Sequence, residues 1–114
     1  MLLTEPLDVD NVLPLPGRVN RVLHRDGIAY RGHRWLGTAL ERLGYPSDAV
    51  GLQWYKAAAH ARTPSEVERA QRHFAAARTE ATSPVGFDAT LCGFIEGRPS
   101  GAQAELLTAA GVRC

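Results

Sequence analysis

In the pattern of apolar and polar positions the first break comes early, where Leu13-Pro14-Leu15-Pro16-Gly17 cannot continue a helix and favours extended or turn backbone. Residues 1–17 therefore read as an extended N-terminal arm, and residues 18–114 as a single domain. After the arm, β-compatible residues lie on both sides of Asp26-Gly27, a dipeptide suited to the positive φ angles of a two-residue hairpin turn. The pattern predicts a β-hairpin. One strand would hold Arg21, Val22, Leu23, His24 and Arg25, the other Ile28, Ala29, Tyr30 and Arg31, with Gly32 ending or kinking it.

From Trp35 the period lengthens. Trp35, Leu36, Ala39, Leu40 and Leu43 fall on one side of a helix, and Gly44 stands where a left-handed C-terminal cap is expected. Pro46-Ser47-Asp48 offers the next N-terminus, opening a helix over Ala49 to Ala61 whose broad apolar face suits the centre of a core. Thr63-Pro64-Ser65-Glu66 is a capping box with Pro at the first helical position, and the helix it starts should run to about Glu80. The short link between these two makes them a helical hairpin. Thr82-Ser83-Pro84-Val85-Gly86 reads as a break, Thr90 to Ile95 as one further strand joining the hairpin's sheet, and Ser100 to Gln103 as a second capping box for a C-terminal helix stopped by Gly111. The resulting fold class is α+β, with Trp35, Leu36, Leu40, Leu43, Trp54, Val67, Phe74 and Ile95 expected in the core.

Composition bounds this picture without changing it. A chain of 114 residues, 45% hydrophobic and 22% charged, can close one modest core. Its start lacks the basic and apolar regions of a secretory signal, and no apolar run is long enough to span a bilayer, so the expected location is cytoplasmic, away from membranes. Cys92 and Cys114 accordingly read as reduced thiols, the first a small core residue and the second at a frayed end.

Candidate chemistry is sparse. His24, His33, His60 and His73 show no spacing that would place two ligands on one helical face, so they read as surface histidines and no metal or other cofactor is expected. Ser47, Ser65, Ser83 and Ser100 are better explained by caps and turns than by nucleophilic chemistry, and no phosphate-binding glycine loop is present. No catalytic residue is assigned, and the protein is expected not to be an enzyme.

Charge distribution says more. Formal net charge is only +1, yet residues 1–17 hold three acidic and no basic side chains, whereas residues 18–78 hold eleven basic against five acidic. Arg18, Arg21, Arg25, Arg31 and Arg34 fall within seventeen residues, with Tyr30 and Trp35 among them and Asp26 the one opposing charge. A basic ribbon of this kind can enter a major groove or follow a phosphate backbone, its guanidinium groups on phosphate oxygens and its aromatic rings stacking on bases. The expected function is a non-enzymatic accessory protein binding nucleic acid or a nucleoprotein complex through Arg18, Arg21, Arg25, Tyr30, Arg31 and Arg34. The alternative is an adaptor or inhibitor docking on an acidic protein partner, because Arg and aromatic residues also anchor protein interfaces. The segment from Arg25 to Gly32 resembles the hairpin of small β-barrels in transposase C-terminal regions, over a stretch that carries no residue roles with it.

Overall fold

The computed structural model describes residues 28–95 and 97–114. They form five helices, α1 Ile28–Arg42, α2 Ser47–Ala59, α3 Pro64–Glu80, α4 Pro84–Phe94 and α5 Gly101–Ala110, and no strand occurs among the described residues. The expected α+β class is thus corrected to all-helical.

Both strand assignments within reach of the structure fail for identifiable reasons. Ile28 to Arg31, expected as the second hairpin strand, is the first turn of α1. Strand alternation would put Ile28 and Tyr30 on one face, but Ile28 is 39% exposed and Tyr30 only 2%. What α1 buries is Ala29, Tyr30, His33, Gly37 and Leu40, a stripe at helical spacing. The resemblance to a transposase hairpin falls with that strand. Thr90 to Ile95, expected as the further strand, is instead the second half of α4 and its C-cap. The supposed break before it is the helix start: Ser83 Oγ accepts the Gly86 amide at 3.0 Å, and Pro84 fills the first helical position. The arm over 1–17, the first hairpin strand and the Asp26-Gly27 turn lie outside the described residues, as do Arg18, Arg21, Arg25 and His24.

The helices expected in the middle of the chain are present and pack on each other as α2 and α3. Thr63 Oγ1 accepts the Glu66 amide at 3.2 Å, while the Glu66 carboxylate reaches one residue past the cap, to the Arg62 amide at 2.8 Å. The second capping box does not form: Ser100 precedes α5 without a side-chain cap bond, and Gln103 Nε2 donates to the Tyr55 carbonyl at 3.2 Å. Gly44 and Gly111 do close α1 and α5 with positive φ, and the amides of Tyr45 and Val112 return to Leu40 and Leu107 as the left-handed cap requires.

Helix α2 is the hub, packing against α1, α3, α4 and α5, with Ala49 to Tyr55 and Ala57 to Ala58 buried. Two glycines make the close approaches possible. A Cβ on Gly37 would lie 2.7 Å from Trp54 Nε1, and one on Gly51 would lie 2.5 Å from the Phe87 ring. Of the expected core, Leu40, Trp54 and Phe74 are buried, Leu36, Val67 and Ile95 are half-buried, and Trp35 and Leu43 stand in solvent. Arg78 fastens the far side of the bundle: its guanidinium donates twice to Asp88 on α4, at 2.8 Å each, and once to the Ala110 carbonyl ending α5, at 3.0 Å.

The thiols also need correction. Cys92 on α4 and Cys114 are joined in a disulfide, their Cα atoms 5.4 Å apart. Composition argued for reduced cysteines, but Val112 is buried in the core and brings the following residues back to α4. Among the described residues, no helix is long and apolar enough to cross a membrane.

Candidate functional site

Helix geometry parts the two arginines of α1 that were expected to act together. Successive residues turn by about 100° around a helix, so with His33 and Gly37 facing α2, positions 31, 35 and 42 project from the opposite side. Arg31 and Arg42 are exposed there, and Trp35 between them is 69% exposed. Arg34 lies a quarter turn away, toward α3. It lines a cleft of about 240 Å³ with Tyr30 from its own helix and Thr63, Ser65, Glu66 and Arg69 from the start of α3.

Tyr30 forms the floor of that cleft and was misjudged as a stacking surface, being buried. Its hydroxyl points to the Glu66 carbonyl at 3.5 Å, longer than the usual range of about 2.5–3.0 Å for a hydroxyl donor. Burial raises the phenol pKa above its ordinary value, Glu66 adds to the rise, and Arg69 and Arg34 draw it back. The phenol therefore keeps its proton at neutral pH.

Further along the seam between α1 and α3 the charge reverses. His73 stacks on Trp54 with ring centroids 4.2 Å apart, and its Nδ1 stands 3.9 Å from Glu41. Desolvation pushes the His73 pKa down, Glu41 opposes this, and Arg72 and Arg69 reinforce it. Beyond His73, Glu41 and Glu80 share a smaller cleft. The seam is thus basic at the Arg34 and Arg69 end and acidic at the other.

No family model, curated protein or solved structure matches this chain. Its chemistry has to be read from its own side chains.

Of the histidines expected on the surface, His33 is instead buried, its imidazole 2.9 Å from the Gln53 amide oxygen and stacked near His60. Gln53 Nε2 and Trp54 Nε1 are buried beside this pair without acceptors. Among the described residues, no three His, Cys, Asp or Glu side chains are grouped as a metal ion would require. A cleft of about 390 Å³ between the starts of α2 and α4 is lined by hydroxyls and Asp48 and by no basic side chain.

Three residues escaped the sequence reading. Arg69 and Ser65 come beside Arg34 only because α1 and α3 both pack on α2, a tertiary juxtaposition with no local signature. Arg42 could have been found: once residues 28–42 are taken as a helix, its spacing from Arg31 and Trp35 puts it on their face.

Proposed function

We propose that the protein is a non-enzymatic accessory protein that binds nucleic acid through the outer face of α1. The observation that supports this is the 69% exposure of Trp35 on the solvent side of a helix, with Arg31 and Arg42 on the same side. A tryptophan so placed gains nothing from the fold, and a ring between two guanidinium groups suits a base stacked beside phosphates. A helix fits a major groove, and each phosphate met by an arginine releases condensed counterions. The acid of α1, Glu41, leans away to His73. Arg18, Arg21 and Arg25 continue the basic run in sequence and belong to the same proposal.

A titration of labelled single- and double-stranded oligonucleotides tests it. Binding should appear at about 50 mM salt and weaken steeply by about 200 mM. Arg31→Ala with Arg42→Ala should flatten the slope of log affinity against log salt by roughly 0.7 to 0.9 per lost contact. Trp35→Ala should cost about 1–3 kcal/mol while leaving that slope unchanged. No binding of either strand form at low salt would defeat this reading and leave docking on an acidic protein as the use of the same face.

A further inference from the structure

We propose that the cleft between α1 and the start of α3 is a phosphomonoester site, independent of the outer face of α1. Its lining brings together donors from two helices. Arg34 and Tyr30 line it from α1, and Arg69 and Ser65 from α3, the Ser65 hydroxyl lying 3.2 Å from that of Thr63. Tyr30 is 2% exposed; its hydroxyl faces the Glu66 carbonyl at 3.5 Å and is hydrogen-bonded by the Arg34 side chain, which ties the floor residue to one of the two guanidinium groups. An anion seated in the cleft would offer the hydroxyl proton a stronger, charge-assisted acceptor than that carbonyl.

The helix start adds to this without carrying it. Ser65 lies in the first turn of α3, where amides have no intrahelical acceptor, and the dipole of a 17-residue helix favours negative charge there. Glu66 is the opposing charge on the cleft wall. Its carboxylate is engaged by the Arg62 amide at 2.8 Å, and two guanidinium groups outnumber it.

The arrangement selects among anions. A planar carboxylate is satisfied by one guanidinium fork, whereas two guanidinium groups with hydroxyls beside them suit the three terminal oxygens of a phosphomonoester. A phosphodiester offers only two unesterified oxygens. At about 30 Å³ per water, a cleft of about 240 Å³ admits one phosphate with part of its hydration. The same phosphate chemistry is offered by the free ion and by a nucleotide or strand end.

The test is an amide-resolved NMR titration of the full chain with sodium phosphate, chloride holding ionic strength constant. Saturable shifts are expected at Ser65, Glu66 and Arg69, with a dissociation constant on the order of 1 mM. Arg34→Ala with Arg69→Ala, both exposed side chains, should abolish the shifts while the remaining spectrum certifies the fold. Tyr30→Phe keeps the buried ring and should weaken binding about threefold to tenfold. Trp35→Ala should leave the shifts intact, so failure of the proposed nucleic-acid face and failure of this site are separable. A nucleoside 5′-monophosphate binding more tightly than inorganic phosphate identifies a nucleotide or strand end as the source, and equal binding identifies the free ion. Shifts that do not saturate, that survive the double variant, or that the unphosphorylated nucleoside reproduces would overturn the site.

Discussion

Phe74 meets Phe87 edge-on, ring centroids 5.5 Å apart, in the space that Gly51 leaves open by lacking a Cβ. Because Phe74 is fully buried, Phe74→Ala removes a whole ring from a packed site and should cost about 3–5 kcal/mol, read as a lower urea midpoint at unchanged slope. A wild-type midpoint would mean that the helix face is misassigned. His73 predicts a pH dependence. Its folded pKa lies below the unfolded value of about 6.5, so the unfolded chain binds more protons in acid. The contribution is fully present above that value and is lost as pH falls through the depressed folded pKa. Denaturation midpoints should therefore fall from pH 8 to about pH 5, and His73→Gln should reduce that fall. An equal fall in both proteins would assign it to other groups. At this scale the sequence was a fair guide to Phe74, Trp54 and Leu40 and a poor one to Trp35 and Leu43. Counting only apolar side chains put the α1 stripe on the wrong side, since His33 and Gly37 occupy its core face.

At the scale of elements, chemistry at helix ends was legible and chemistry at apparent turns was not. Thr63-Pro64 and Ser83-Pro84 use the same device, an oxygen capping an amide three residues on and a proline at the first helical position. The first was read as a helix start because a long amphipathic pattern follows it. The second was read as a break because the run after it, Val85 to Ile95, is short and apolar, and such runs do not distinguish a strand from a buried helix. Asp26-Gly27 misled in the same way: a hairpin dipeptide was given more weight than the spacing of Tyr30, His33, Gly37 and Leu40. The centrality of α2 was legible, because a helix apolar on two stripes must have neighbours on both. The phosphate cleft was not, since its two walls belong to helices brought together only by packing on that hub.

For the whole molecule, Arg78 and the Cys92–Cys114 bond hold overlapping parts of the bundle by different chemistry. Arg78 joins α3 to α4 and to the end of α5 whatever the redox state, so reduction should loosen the fold without abolishing it. With the cysteines 22 positions apart in sequence, the entropy of the opened chain gives the disulfide about 3 kcal/mol. Thermal melts with and without a dithiol reductant, alongside the double Cys92→Ser and Cys114→Ser variant, should show that loss in the wild type only. Identical melts in the two conditions, with free thiols confirmed after reduction, would deny the bond any part in stability.

The same bond changes what a cut in the chain means. The backbone between Cys92 and Cys114, with all of α5 inside it, is a closed ring hung on the rest of the fold. Gly97, Arg98 and Ser100 stand exposed on it, small and polar residues of the kind of segment a protease enters first. A nick there would open the ring into two arms still joined through sulfur. No piece could diffuse away until an electron donor arrived, and up to that moment α5 would remain tethered where it can dock again.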